Sequence, residues 1–121
     1  MADRVAFFLK VLRAELEDLA EDLVAIDGRL RERFERSEVT PYVYRENGAL
    51  LVREQESCRE LALFVDGMQG SLYKSIDEVA EAVRKGALDL VARHEEPKAI
   101  TELLGRKISK VRRYIESGES R

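Results

Sequence analysis

Aliphatic residues recur near the start of the chain at alternating intervals of four and three positions. From Val5 onward they are Val5, Leu9, Leu12, Leu16, Leu19, Leu23, Ile26 and Leu30. This spacing places them on one face of an α-helix, and that face must pack against other helices to escape water. Phe8, Ala20 and Phe34 widen the apolar stripe, as is typical of a bundle. The pattern therefore predicts one long helix from about residue 2 to residue 37.

The pattern becomes ambiguous after this first helix. Pro41 and the run Tyr42-Val43-Tyr44 favour extended backbone, and Asn47-Gly48 is a strong hairpin signal, so a β-hairpin over 42–53 is one interpretation. The alternative is a loop followed by a helix over about 48–68, because the four-three apolar rhythm resumes there. Since an isolated hairpin is only marginally stable without a larger sheet, we favour the helix.

Two more helices are indicated by signals at their first residues. Ser75 lies three residues before Glu78, the spacing of a capping box, and an apolar rhythm follows, so we predict a third helix over 75–93. Pro97 suits the first turn of a fourth helix, for which the apolar positions indicate a span of 97–117.

These elements predict the fold class. The chain has 121 residues, of which 45% are hydrophobic and 37% charged, which suits one compact domain of slender helices with solvated outer faces. We expect an all-α, antiparallel four-helix bundle with a long N-terminal helix, forming a single domain over 1–117 with a frayed tail at 118–121.

The charges are distributed unevenly along the chain. Residues 1–96 carry 14 Lys/Arg and 21 Asp/Glu, a net charge of −7, whereas residues 97–121 carry 7 Lys/Arg and 3 Asp/Glu, a net charge of +4. A basic end on an acidic body can bind a nucleic acid or an acidic protein. The interpretation we favour is that the last helix packs on its own acidic neighbours.

The basic segment weakly resembles a helix-turn-helix motif over about 16 residues, with Gly105 as the turn glycine. Thr101 and Arg106 depart from that pattern, so a single amphipathic helix running through Gly105 is favoured. If the resemblance holds, the chain is a nucleic-acid-binding regulator. The residues that would then meet phosphates or base edges are Arg106, Lys107, Lys110, Arg112 and Arg113.

The residue types that carry chemistry form no recognisable active site. Glu17 and Glu21 lie four residues apart, as do Asp18 and Asp22, so each pair lies on one helical face and could bind a cation. No Glu-x-x-His motif accompanies them. His94 lies near a predicted helix terminus, and Cys58 lies at a core-type position. We therefore expect a chain that is not an enzyme, with no catalytic residue, no metal and no cofactor.

The length of the first helix favours association. Helices of about 20 residues cannot cover both ends of a 34-residue partner in one layer, so apolar surface should remain for another molecule. We expect a helical interaction module (an adaptor, small subunit or chaperone-like protein) that pairs with itself as a homodimer or with another helical protein. The expected interaction residues are Val5, Phe7, Phe8, Leu9, Leu12, Leu16, Leu30 and Phe34.

The same sequence shows no apolar run approaching the roughly 18 residues that a membrane span requires. Its first residues, with Lys10 and Arg13 interrupting a short apolar patch, do not resemble a signal peptide. We expect a cytoplasmic protein with no membrane partner.

Overall fold

The computed structural model describes residues 2–94 and 99–119, and within these ranges the chain is all-α. It forms helices α1 (Ala2–Glu35), α2 (Pro41–Asp66), α3 (Ile76–His94) and α4 (Ala99–Glu119), with a 3-10 turn at Gly70–Leu72. The predicted fold class, an antiparallel four-helix bundle with a long first helix, is confirmed. α4 continues through Glu119, two residues beyond its predicted end at 117. Residues 120–121 lie outside the described residues, so the fraying of the tail stays a prediction.

Contacts between side chains show that neighbouring helices run in opposite directions. Phe34 stacks on Tyr44 at one end of the α1–α2 pair, with ring centroids 4.3 Å apart, and Arg13 Nη1 donates to Asp66 Oδ1 at 2.6 Å near the other end. Phe7 lies 6.4 Å from Tyr114, centroid to centroid, so the beginning of α1 meets the end of α4. α1 packs against all three other helices.

The turn between α1 and α2 is short because both helix ends are capped. At the end of α1 the amide of Glu38 donates to the carbonyl of Arg33, and Ser37 adopts a left-handed backbone with φ of 62°. These are the features of a Schellman motif, here with serine where glycine is usual. α2 then begins with Thr40 as N-cap, whose Oγ1 accepts a hydrogen bond from the amide of Val43 at 3.1 Å.

The start of α2 excludes the alternative hairpin and corrects the predicted beginning of the second helix. Residues 42–53 do not form a β-hairpin, and the helix begins at Pro41 rather than near residue 48. Thr40 and Pro41 are good residues for the N-cap and first helical position, so together they initiate the helix. Asn47 and Gly48 consequently lie inside it, and the packing of α2 along α1 overrides the strand preference of the tyrosines.

The other helix boundaries agree more closely with the sequence. Ser75 Oγ accepts a hydrogen bond from the amide of Glu78 at 3.1 Å, as the capping box predicted, and α3 runs from Ile76 to His94. α4 passes through Gly105 without a turn, which confirms the single continuous helix and excludes the helix-turn-helix geometry. Pro97 lies outside the described residues.

The core lies between the first two-thirds of α1 and parts of the other three helices. Its largest fully buried side chains include Phe8, Leu12, Leu16, Leu61 and Ile108. One close approach depends on a glycine. The ring of Phe64 on α2 lies against Gly86 on α3, and a methyl group at residue 86 would overlap that ring. Gly86, which costs α3 some helix propensity, is therefore where α2 and α3 come close.

Candidate interaction surface

The end of the molecule that carries the α1–α2 turn is a two-helix projection. We call residues 24–54 the arm and the rest of the bundle the body. Every residue of the arm is described by the structure, and none of them is buried. The nearest buried apolar residues in the described sequence are Leu23 and Cys58, on either side of the arm. The core therefore ends where the arm begins.

On α1, one helical face passes from the body into the arm. In the body this face carries Glu15, whose Oε1 lies 2.6 Å from Lys110 Nζ of α4. Ile26 is eleven residues further on, about three helical turns, so it continues the same face. Eleven residues back from Lys110 is Ala99, the first residue of α4. α4 therefore begins close to the level of Ile26, and among the described residues it does not extend over the rest of this face.

On α2, a heptad series behaves in the same way. Phe64 packs on Gly86 of α3, Ser57 is buried, Leu50 is 43% exposed and Val43 is 36% exposed. Successive members are seven residues apart and lie on one side of the helix. This side is covered in the body and open to water in the arm. The two helices of the arm thus present one shared, uncovered face.

A groove of about 410 Å³ runs between the two helices on this face. Its apolar lining residues are Ile26, Leu30, Leu50 and Leu51, and its polar ones are Arg29, Arg33 and Asn47. Ile26 is 41% exposed, so the apolar wall of the groove faces solvent on the α1 side as well as on the α2 side. The apolar lining and the volume are in the range of a binding groove.

The structure places the interaction residues predicted from the sequence in three settings: the core, the exposed surface near the start of α1, and the arm. Five of them lie in the core of this chain and pack against its own helices: Val5, Phe8, Leu9, Leu12 and Leu16. Phe7 is 45% exposed beside Tyr114, whereas Leu30 and Phe34 lie partly buried in the arm. Leu30 lines the groove and Phe34 closes the tip by stacking on Tyr44. Of the predicted set, therefore, only Leu30 lines the surface groove.

Most of the groove was not anticipated from the sequence. Ile26 belonged to the heptad series without being named as an interaction residue, and the other groove residues apart from Leu30 were not named as interaction residues either: Arg29, Arg33, Asn47, Leu50 and Leu51. For Asn47 the missing signal was the start of α2 at Pro41, because a helix beginning near residue 48 leaves Asn47 outside it. Thr40-Pro41 carried that signal in the sequence.

The basic residues of α4 are largely engaged by the acidic body. Glu15 Oε1 lies 3.3 Å from Lys107 Nζ and 2.6 Å from Lys110 Nζ, and Arg112 pairs with Asp77 of α3. Arg106 and Arg113 are exposed on the same helix. The expectation that the last helix packs on its own acidic neighbours is confirmed for these contacts. Two carboxylates, Glu15 and Asp77, thereby engage three of the five basic residues that a nucleic-acid interface would use.

The Glu15 carboxylate is the best-anchored of these charges. Its side chain is 18% exposed, and its pKa is lowered below the usual glutamate value, chiefly by the hydrogen bond from Lys110 and further by Lys107, with burial opposing the shift. A carboxyl group whose folded pKa is lowered stabilises the protein above its unfolded pKa. That contribution disappears as the pH falls through the folded pKa.

Replacing Glu15 by glutamine should lower the free energy of unfolding by about 1–2 kcal/mol at neutral pH, because two ammonium groups lose their shared negative charge and keep at most a neutral amide acceptor. The difference from wild type should shrink as the pH drops below about 4.3, the ordinary glutamate pKa, since the wild-type carboxylate is then protonated in the unfolded chain. Urea denaturation at a series of pH values measures this. The exposed Glu21→Gln on the same helix is the control, and an equal, pH-independent loss in both variants would contradict the assignment.

Within the described residues, no group of three or more His, Cys, Asp or Glu side chains is placed to hold a metal ion. Cys58 is buried in the core, as its core-type position predicted. His94 is the last residue of α3, so it lies at a helix C-terminus, as predicted. No helix in the described ranges combines the length and the apolar character needed to cross a bilayer.

The protein is thus an all-α bundle with a projecting two-helix arm. Comparison of the chain with known protein families, with curated proteins and with solved structures finds no match. The interpretation of the arm therefore depends on its own residues.

Proposed function

We propose that this chain is a non-enzymatic helical interaction module that binds its partner along the uncovered face of the arm. The observation that carries the proposal is the arm itself. Residues 24–54, all of them described, contain no buried residue, yet they expose apolar side chains on the face that the body covers with α3 and α4.

The energetics favour a partner at this face. Burying a large aliphatic side chain contributes about 1.5–3 kcal/mol, so covering the remaining exposed parts of Ile26, Val43 and Leu50 is worth about 1 kcal/mol for each. A third helix laid across the groove would complete there the helix-on-helix packing that α4 provides in the body.

Self-association is one form of this proposal. The sequence argument for it was that α1 exceeds the other helices in length. α2, with 26 residues against 34 in α1, lies beside α1 along the arm, so the length difference is smaller than expected. What remains uncovered is the second layer over both helices, and a helix from a second copy or from another protein would supply it.

A charge placed in the groove should abolish partner binding. We expect Leu50→Asp to weaken binding by at least about 100-fold, because a carboxylate replaces an apolar anchor in a face that becomes desolvated. The matched control is Leu63→Asp, a second exposed leucine on α2 that does not line the groove and is 69% exposed. Proteins captured from native extract by tagged wild-type chain are identified and purified, and their affinity for both variants is measured.

The proposal would be overturned if every captured partner bound Leu50→Asp and Leu63→Asp with the same affinity as wild type. Circular dichroism of both variants verifies that helicity is retained, which is expected because both positions are solvent-exposed.

A further inference from the structure

We infer that the partner presents an acidic amphipathic helix, whose apolar side chains enter the arm groove while its carboxylates pair with Arg29 and Arg33. This inference rests on the proposed function and adds to it the chemical class of the partner. It is carried by the shape and the charge of the groove lining.

The shape of the groove favours a helix over a small molecule. Ile26 and Leu30 on α1 face Leu50 and Leu51 on α2, and the channel between these two antiparallel helices is open to solvent along one side. Small-molecule sites usually enclose most of the ligand surface, whereas an amphipathic helix buries only one face. A row of apolar side chains at helical spacing fits such a channel.

The charge of the lining selects an acidic helix. The arm as a whole is neutral, with six arginines and six acidic residues between positions 24 and 54. Its groove is not neutral, because Arg29 and Arg33 line it and none of the acidic residues in this described segment does. The two guanidinium groups are four residues apart on one helix, the spacing at which a partner helix presents carboxylates on one face.

The arginines also have unsatisfied pairing capacity. Within the described residues Arg29 makes no ion pair, and the Nε of Arg33 lies 4.0 Å from Glu38 Oε1 in an exposed pair that contributes little. Guanidinium groups beside an apolar surface recognise carboxylates with two parallel hydrogen bonds. The groove therefore provides an apolar anchor site flanked by two available donors.

The same charges disfavour a second copy as the occupant. A two-fold interface pairs one surface with its own copy, so a symmetric pairing through the groove would gather Arg29 and Arg33 of both copies in one interface with no carboxylate among its lining residues. Like charges gathered in one interface repel each other and weaken association. An acidic helix from a different protein meets no such repulsion.

The test uses two designed helical peptides that share a leucine face and differ in the residues flanking it, which are glutamates in one and lysines in the other. Binding to the full chain is measured by fluorescence anisotropy at low and at physiological salt. The glutamate peptide should bind wild type at least about tenfold more tightly than the lysine peptide does, and its affinity should fall as salt is raised.

Charge reversal in the groove should invert this preference. In Arg29→Glu/Arg33→Glu the glutamate peptide should lose at least about tenfold in affinity and the lysine peptide should gain. The control is Arg31→Glu/Arg45→Glu, which makes the same change in net charge at exposed arm positions that do not line the groove. It should change either affinity by no more than about twofold, consistent with a screened surface effect.

Three results would overturn the inference: no detectable binding of the glutamate peptide, equal binding of both peptides, or a wild-type dimer in sedimentation that Leu50→Asp dissociates. The third would identify a second copy as the occupant. A captured partner that depends on Leu50 but is unaffected by Arg29→Glu/Arg33→Glu would reject the acidic helix while leaving the proposed function intact.

Discussion

Replacing Phe8 by alanine should lower the free energy of unfolding by about 3–5 kcal/mol, while the same change at Phe7 should cost about 1 kcal/mol or less. The two phenylalanines are adjacent in α1, yet Phe8 is fully buried and Phe7 is 45% exposed beside Tyr114. Removing the Phe8 ring loses its transfer free energy and leaves a cavity in the core. Removing the Phe7 ring does neither to the same extent.

Urea denaturation followed by circular dichroism measures both effects. Because a domain of this size is stable by about 5–15 kcal/mol, Phe8→Ala could leave part of the chain unfolded without denaturant. Phe8→Leu, a smaller deletion, then provides a graded second value that should lie between those of wild type and Phe8→Ala. Equal losses of unfolding free energy at positions 7 and 8 would mean that Phe8 is not buried more deeply than Phe7, and that the beginning of α1 is rotated relative to the core.

Backbone amides in the arm should exchange with solvent at least about 100-fold faster than those in the body. The relevant amides are those inside helices, for example in segments 28–34 and 45–51, compared with those around Leu12, Leu61 and Val79. Amides in the body exchange only when the buried core opens, whereas the arm can unfold locally without exposing any buried side chain. A 100-fold difference corresponds to about 2.8 kcal/mol of opening free energy.

Hydrogen exchange followed by mass spectrometry of peptic fragments measures this difference. The dependence on protein concentration serves as the control, because a self-associating arm would become more protected as concentration rises. Equal protection of arm and body in a dilute sample would show that the arm is stabilised to the same degree as the core. The basis for an unoccupied binding surface would then be lost.

Much of the fold could be predicted from the sequence because helix boundaries depend on local signals. The four-three spacing from Val5 to Leu30 is a property of α1 alone, and the hydroxyl of Ser75 caps α3 through a contact only three residues long. α2 was placed about seven residues too late because Pro41 was interpreted, together with Tyr42-Val43-Tyr44, as a signal for extended backbone, whereas Thr40 and Pro41 in fact begin the helix. Local signals conflicted there, and packing against α1 selected the helix.

The candidate site was far less predictable. The heptad seam indicated that Leu12 and Leu16 must contact other helices, but a seam carries no information about whether those helices belong to the same chain. In the structure, Leu12 and Leu16 pack against other helices of this same chain. The position that remains open to a partner, Leu50, lay inside the predicted second helix, but its position beside Ile26 depends on how α1 and α2 are aligned, which periodicity within one helix does not give.

The sequence by itself determined that this protein is helical, that its charges lie on outer faces, and which face of each helix is apolar, because these follow from periodicity along one chain. Only the tertiary structure decided which stretch of each apolar face is covered. α4 begins near the level of Ile26, whereas α1 continues to Glu35. That offset depends on turn geometry and helix register, which arise from contacts between residues distant in sequence, and it is the reason that Arg29, Arg33 and Leu50 form a groove.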